Sequence, residues 1–148
     1  MAPDITFTSY SPDQKAACLA LFDANCPEFF APCERADYEQ FLDANPDQYE
    51  LCFIAGRVVG AFGLMGDGTC SRSLNWISLD PSSQGLGIGA NIMQRVVDQA
   101  RATGLEVISI AASHKSESFF AKFGAQELTR TENGWGPGMH RVDMELQV

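Results

Sequence analysis

The chain has 148 residues, 45% of them hydrophobic and 20% charged, which is the length and composition of one folded domain spanning residues 1–148. Its formal net charge of -9 argues against nucleic acid as a partner, because a phosphate backbone attracts a basic surface. The same charge favours a cationic substrate, although it also fits an acidic surface that only keeps the protein well solvated. No stretch approaches the ~20 apolar residues that span a bilayer, and the N-terminus carries no signal-peptide pattern, so we expect a cytoplasmic protein with no membrane partner.

The first half of the chain predicts one strand, two helices and three further strands, in that order. Alternating apolar and polar residues mark the first strand, and Ser11-Pro12-Asp13 marks the start of the first helix. Segment 27–32, between the helices, holds two prolines and two phenylalanines, which indicates a semi-rigid loop with an apolar lining. The predicted elements are a strand at 5–10, helices at 12–25 and 34–44, and strands at 49–55, 58–65 and 72–79, with Gly56-Arg57 as a hairpin turn.

The second half predicts a long helix that follows three glycines and ends at Gly104. A short strand comes next, and Ser113 is placed to cap the helix after it. The predicted elements are a strand at 106–111, a helix at 116–123, and strands at 126–131 and 140–146 joined by a glycine-rich linker at 132–139. This order gives one mixed α/β sheet with helices packed on it and no second domain.

The five cysteines indicate free thiols rather than disulfides or a metal centre. Their number is odd and no Cys-x-x-Cys pair occurs, and neither histidine stands at a zinc spacing. We therefore expect a reducing cytosol and no metal ion.

Gly85, Gly87 and Gly89 lie where a strand ends and the long helix begins. The N-terminus of a helix offers unpaired N–H groups, and glycines let that backbone approach a ligand, so this turn could hold a diphosphate without Lys or Arg. The alternative is that the glycines only allow a tight turn and close helix–sheet packing. The run differs from the Gly-x-Gly-x-x-Gly dinucleotide fingerprint, which weakens a nicotinamide interpretation.

Two motifs resemble those of the GCN5-related N-acetyltransferases. The spacing Gln84-x-x-Gly87-x-Gly89 is similar to the Gln/Arg-x-x-Gly-x-Gly/Ala signature of that family, and Leu79-Asp80-Pro81 looks like the end of its fourth strand. Segment 119–125, with an aromatic pair followed by Lys, an apolar residue and Gly, resembles the second signature. The order of strands and helices matches the family over nearly the whole chain.

This resemblance implies an α+β fold with a single mixed, mostly antiparallel sheet and helices on both faces. It also implies that acetyl-CoA, as co-substrate, lies between the fourth and fifth strands and that a neutral amine attacks the thioester directly. A homodimer is reasonable on the same ground. The cofactor-binding residues implied are Leu79, Gln84, Gly85, Leu86, Gly87, Ile88, Gly89, Ala90, Ser113 and Phe120.

The catalytic residues are less clear from the motifs. Phe120 stands where the family often has a tyrosine that protonates the leaving thiolate, so the general acid is elsewhere, absent or replaced by water. Glu28 lies in the region that lines the acceptor pocket in the family, and Asn75 and Ser78 lie on the fourth strand, where they could orient a water; ordinary loop and strand roles are the alternatives. Trp135, in the glycine-rich linker, could be a lid, a subunit contact or simple packing.

Three functions follow from these observations. The first is acetyl transfer from acetyl-CoA to a primary amine of an unidentified, small acceptor. The second is a catalytically weak acyl-CoA-binding or sensor protein of the same fold, an option that Phe120 keeps open. The third is an unrelated nucleotide-binding domain. Polyamines, amino acids, aminoglycosides and protein N-termini all remain possible acceptors.

Overall fold

The computed structural model describes residues 4–83 and 85–148, and within them the chain forms one seven-stranded sheet with four α-helices and two short 3-10 helices, Pro12–Gln14 and Pro81–Ser83. The strands are β1 (Ile5–Ser9), β2 (Tyr49–Ile54), β3 (Arg57–Met65), β4 (Ser71–Leu79), β5 (Val107–Ser113), β6 (Gln126–Gly136) and β7 (Met139–Gln147). The helices are α1 (Lys15–Ala24), α2 (Glu34–Asp43), α3 (Ile88–Thr103) and α4 (Glu117–Ala121). The sheet order is β1-β2-β3-β4-β5-β7-β6, and among these pairs β4–β5 is parallel and the others are antiparallel.

Three predicted boundaries differ from the structure. The hairpin turn is Ala55-Gly56 and not the predicted Gly56-Arg57. Ala55 and Gly56 both have positive φ (52° and 77°), as a two-residue turn that matches the twist of the strands requires. The predicted linker 132–139 is mostly strand, since β6 runs to Gly136, although its pairing with β7 is interrupted between Thr131 and Gly136 and resumes where Gly136 faces Met139. Strand β5 also runs on to Ser113, so α4 is capped at Ser116 instead.

Helices cover both faces of the sheet, as expected, and each face has its own core. One core joins α1 and α2 to residues such as Leu51, and the other joins α3 and α4 to residues such as Cys52. Adjacent residues of β2 fall in different cores because side chains of a strand alternate between faces. The buried side of α3 has the predicted helical spacing: Ile88, Ile92, Met93, Val96 and Ala100.

Strands β4 and β5 pair only over their first halves. The pairing runs from Ser71 with Val107 to Leu74 with Ile110, and beyond that the two strands diverge. On its other side β4 has a bulge, because the one residue between Ala61 and Gly63 of β3 lies opposite two residues of β4, Trp76 and Ile77. Trp76 takes a φ of 49° there. The open half of β4 therefore has an irregular backbone facing a gap in the sheet.

Two buried tyrosines fix this bulge. The Tyr49 hydroxyl donates to the Trp76 carbonyl oxygen at 2.6 Å, so its one hydrogen is used there. The Tyr38 hydroxyl, 2.8 Å away, must then donate to the Tyr49 oxygen. Both side chains are essentially inaccessible to solvent. A strained residue is thus held by a hydrogen-bonded chain that begins on α2 and ends on β4.

We expect Tyr49→Phe to lower the free energy of unfolding by about 2 kcal/mol, because it leaves the buried Trp76 carbonyl and the Tyr38 hydroxyl without partners. Tyr38→Phe should cost less, about 1 kcal/mol, since the Tyr49–Trp76 bond survives. Urea denaturation of both variants measures the difference. Equal losses of unfolding free energy in the two variants would show that the hydrogen bond from Tyr49 to Trp76 adds no stability of its own.

Candidate active site

A cavity of about 830 Å³ opens where β4 and β5 diverge. This volume is in the range of roughly 300–1,000 Å³ that is usual for small-molecule sites. We call its two ends the glycine-turn end and the α1–α2 end. The first is lined by Gly85, Gly87, Gly89, Ser116, Phe119, Phe120 and Lys122, and the second by Asn25, Phe29, Phe30, Glu34, Trp76, Trp135 and Arg141.

The glycine turn places the first backbone N–H groups of α3 at the cavity. Gly87 is the N-cap residue of α3 with a φ of 75°, and Gly85 has a φ of 85°, so both adopt a conformation that favours glycine. A Cβ at Gly85 would meet no atom within 4 Å, and one at Gly87 only the Asn91 amide at 3.7 Å. The space beside the turn is therefore open, as an anion-binding cradle requires.

Gly89 has a different local role. A Cβ at this position would lie 2.6 Å from Cε1 of Phe119 and 3.4 Å from Leu79. The absence of a side chain therefore lets α3 pack against α4 and β4. Substitution of Gly89 would disturb this packing as well as any bound anion, so Gly87 is the cleaner position to test.

Asp80 anchors the turn that precedes the glycines. Its carboxylate accepts hydrogen bonds from Arg57 Nη1 (2.6 Å), the Ser82 backbone N–H (3.0 Å) and hydroxyl (2.8 Å), and the Ser83 hydroxyl (3.2 Å). Burial would raise the pKa of Asp80, but these hydrogen bonds together lower it. The carboxylate is thus compensated by Arg57, which limits its repulsion of an anion at the glycine turn.

Glu34 is a buried carboxylate at the α1–α2 end, with 6% of its surface exposed. Its Oε2 accepts a hydrogen bond from the Ala31 backbone N–H at 2.8 Å, an arrangement that closes the first turn of α2 like a capping box. Burial raises the pKa of Glu34 to about 7, against the hydrogen bond from Ala31, and the nearby Asp37 adds to the rise. This carboxylate can therefore exchange a proton near neutral pH.

Asn25, the residue after α1, is also buried at this end. Its amide nitrogen donates to the carbonyl oxygens of Leu21 and Leu79, each at 2.8 Å, and lies 3.5 Å from the Ser78 hydroxyl. Two carbonyl partners fix which way the amide points. These donated bonds use the amide nitrogen, so Oδ1 of Asn25 keeps its capacity to accept a hydrogen bond, and Asn25 lines the cavity.

Trp135 forms a wall between the sheet and the α1–α2 segment. Its indole N–H donates to the Ala112 carbonyl at 2.9 Å, and the Arg141 guanidinium lies 4.9 Å from the ring centre. The Cys33 thiol donates to the Trp135 carbonyl at 3.3 Å. The β6–β7 hairpin is therefore tied to the start of α2 on one side and to β5 on the other.

Residues 18–125 match the family model described as "Acetyltransferase (GNAT) family", which covers well over half of the chain. The chain belongs to the GNAT acetyltransferases. This result confirms the resemblance drawn from the two motifs. It also identifies the diverging β4 and β5, with helices on both faces, as the fold of this family of acyl-CoA N-acyltransferases.

Three proteins illustrate how far this likeness extends. Serotonin N-acetyltransferase 2, chloroplastic, from Oryza sativa subsp. japonica is 33% identical over 70 residues, which are 47% of this chain and 35% of that protein. The chain thus matches only about a third of the length of that relative. Ard1 from Thermoplasma volcanium aligns with a TM-score of 0.82 at 15% identity, covering 100% of this chain and 99% of that one. An aminoglycoside 6'-N-acetyltransferase complexed with coenzyme A aligns with a TM-score of 0.74 at 14% identity, covering 96% of each chain.

The structure brings most of the predicted site residues of this GNAT domain to one cavity. Two do not line it: Leu86 is 40% exposed, and Glu28 is exposed on the loop between α1 and α2. Gln84 lies outside the described residues. The predicted residues that line the cavity are Asn75, Ser78, Leu79, Gly85, Gly87, Ile88, Gly89, Ala90, Ser113 and Phe120.

Sequence reasoning did not single out Asn25, Glu34 or Arg141. The sequence gives no capping signal for Glu34, because a capping box has Ser, Thr, Asp or Asn three residues before the glutamate and this chain has Ala31 there. Nothing in the sequence shows that Asn25 and Arg141 meet the same cavity, since they lie 116 positions apart along the chain.

Two further observations concern the described residues. No group of three or more His, Cys, Asp or Glu side chains among them is placed to hold a metal ion. None of their helices combines the length and the hydrophobicity needed to cross a membrane.

Proposed function

We propose that this protein transfers an acetyl group from acetyl-CoA to a primary amine of a small acceptor. The observation that carries the proposal is that the glycine turn and the bulged half of β4 open on the same cavity. The glycine turn suits a diphosphate, and the bulged half of β4 suits a carbonyl that becomes polarised in the reaction. The rice relative, named for acetyl transfer to nitrogen, supports an amine as acceptor.

The glycine turn fits the diphosphate of the coenzyme. Four backbone N–H groups at the start of an α-helix have no partner inside the helix, and the helix dipole makes this end positive. The first turn of α3 contains no acidic residue, so nothing in it repels an anion. Gly85, Gly87 and Ile88 would hold this group through their backbone N–H groups, with Lys122 at the same end of the cavity.

The bulge suits the reacting carbonyl. Tyr49 draws the Trp76 carbonyl towards α2, and in a trans peptide the Ile77 N–H points the opposite way. Ile77 lines the cavity, so we propose that its N–H donates to the thioester oxygen as negative charge develops there. Asn75 and Ser78 line the same strand and would orient a water molecule beside the amine.

The leaving thiolate would meet hydroxyl groups other than a tyrosine. Phe120 is 3% exposed and has no hydroxyl, whereas the Ser113 and Ser116 hydroxyls lie 3.2 Å apart at the same end of the cavity. Ser116 precedes Phe120 by one helical turn, so it lies on the same face of the chain. Either serine, or a water bound to it, would donate the proton that the sulfur takes up.

Isothermal titration with acetyl-CoA, against NADH and ATP as controls, tests the cofactor. We expect selective binding of acetyl-CoA, followed by amine-dependent release of free thiol when an amine panel is added. Thiol release that no amine accelerates, from protein that binds acetyl-CoA, would favour the alternative of an acyl-CoA sensor, to which Phe120 points. Preference for NADH or ATP would refute both.

We also propose a cytoplasmic location and a homodimer. All five cysteines are free thiols, which suits a reducing compartment. The edge strand β6 is exposed along most of its length, with Leu128 55% exposed, and could pair with a second copy. Light scattering during size-exclusion chromatography measures the assembly, and a monomer at all concentrations would remove the homodimer.

A further inference from the structure

The α1–α2 end of the cavity combines two hydrogen-bond acceptors with aromatic walls. Glu34 contributes a carboxylate and Asn25 an amide oxygen whose orientation is fixed by its two carbonyl partners. Phe29, Phe30 and Trp135 line the same region. A primary ammonium group needs acceptors for its three N–H bonds, and a flat apolar group attached to it needs walls of this kind.

We propose that Asn25 and Glu34 bind the acceptor nitrogen, that Glu34 takes its proton, and that the acceptor is a monoamine carrying a flat aromatic group. This inference rests on the proposed acetyl transfer and adds the class of acceptor to it. It also replaces a water-mediated base by a named side chain that touches the amine.

The charge inside the cavity favours a monoamine over a polyamine. Two carboxylates line the cavity in the described part of the chain, Glu34 and Asp80. Asp80 is already paired with Arg57 and bonded to Ser82 and Ser83. One carboxylate is then left for a cation, and a second ammonium would lie against aromatic walls beside Arg141 without a partner.

The surface around this end would guide a cation towards it. Eight of the nineteen acidic residues lie between Asp13 and Asp47, and only two of the ten basic residues do. This segment contains α1, α2 and the loop between them. A negative potential there raises the local concentration of a cationic amine and disfavours anionic acceptors.

The reaction balances with Glu34 as the base. The acceptor enters as R–NH3⁺ and gives one proton to the Glu34 carboxylate, which frees the nitrogen lone pair. The nitrogen forms a bond to the thioester carbonyl carbon, the carbon–sulfur bond breaks with its electrons on sulfur, and the second nitrogen proton goes to that sulfur. The products are the N-acetyl amine and free coenzyme thiol, and Glu34 releases its proton to water.

The surroundings of Glu34 suit a base that works near neutrality. Burial of the carboxylate at the start of α2 raises its pKa, and Asp37 on the same helix adds to the rise. Cys26, whose own pKa is raised by burial, and Cys33 lie nearby. Arg141 on β7 is the cation that lines the same end, and Lys122 lies at the other end. A base whose pKa is closer to that of the amine abstracts its proton with a smaller free-energy cost.

The test compares 2-phenylethylamine, spermidine and a short peptide with a free N-terminus as acceptors. For the unmodified protein we expect kcat/KM to be at least about tenfold higher with 2-phenylethylamine, as one well-filled apolar pocket can provide. Glu34→Gln keeps the size and the bond to the Ala31 N–H but removes the base. It should lower kcat/KM for this amine by about 100-fold at pH 7 and abolish the rise in rate around that pH, with the Kd of acetyl-CoA unchanged.

Controls separate this inference from the proposed function. Asp47→Asn removes one charge from the same acidic segment and should retain activity. If Glu28→Gln lowers kcat/KM and Glu34→Gln does not, the assignment of Glu34 as the base is overturned. Acetylation that prefers spermidine or the peptide would support acetyl transfer and overturn the acceptor class. If no amine is acetylated, titration of 2-phenylethylamine still decides: binding that Glu34→Gln weakens supports the subsite, and the absence of binding overturns it.

Discussion

Gly87→Val should weaken acetyl-CoA binding by roughly 100-fold or more, because a branched side chain would occupy the space beside the start of α3. Two lost hydrogen bonds to a charged phosphate at about 1.5 kcal/mol or more each correspond to this factor. The protein itself has room there, since a Cβ at Gly87 meets only the Asn91 amide at 3.7 Å. The substitution should therefore raise the Kd of acetyl-CoA measured by titration without a steric clash inside the folded protein.

The matched control is Gly56→Val, in the turn between β2 and β3. Gly56 has a φ of 77°, nearly that of Gly87 at 75°, and a Cβ there meets no atom within 4 Å. Both variants thus impose a similar backbone strain, about 1–2 kcal/mol for a residue in the left-handed region. Equal stability losses with unequal affinities support the diphosphate site. Unchanged affinity for acetyl-CoA in a folded Gly87→Val variant would show that the glycine turn does not bind the diphosphate.

The glycine-turn end of the cavity was predictable because its residues are close together in sequence. A strand, a glycine turn and a helix form one local unit, so the spacing of Gly85, Gly87 and Gly89 describes the site directly. Even there the sequence did not distinguish two kinds of glycine. Gly87 is required by a positive φ, and Gly89 by the Phe119 ring from α4, a contact between helices that no local pattern contains.

The lining of the α1–α2 end was not predictable in the same way, because it depends on which side chains are buried. Glu28 stands beside two phenylalanines and was the natural choice of carboxylate, yet it is exposed, while Glu34, six residues later, is buried and lines the cavity. Both are glutamates in one acidic segment. The difference arises from how α2 packs on the sheet, which depends on contacts across the whole fold.

The β4 bulge is a further feature that tertiary structure imposes. The segment 72–79 was predicted as a regular strand, and its ends are nearly correct. The positive φ of Trp76 was not foreseen, since tryptophan has no preference for it. Tyr38 and Tyr49 come from α2 and β2 and stabilise the bulge through hydrogen bonds.

Glu34→Gln should make the protein more stable at neutral and alkaline pH, and by an amount that depends on pH. Burial raises the pKa of Glu34 from its ordinary value of 4.5 to about 7, so the folded state holds this proton more tightly than the unfolded state. The free energy of unfolding of the unmodified protein therefore falls relative to the variant as pH rises from 4.5 to 7. Above that window the variant should be about 3 kcal/mol more stable.

Urea denaturation of both proteins at several pH values measures this difference, and their agreement at pH 4 serves as the internal control. Whether Glu34→Gln raises or lowers stability separates a functional role of this carboxylate from a purely structural one. A glutamate that only caps α2 through Ala31 would lose stability on substitution by glutamine, because a neutral acceptor bonds a backbone N–H less strongly. A variant that gains stability while it loses acetyl transfer would show that the buried carboxylate is retained at a cost to folding. A loss of stability at neutral pH would instead leave Glu34 as a capping residue.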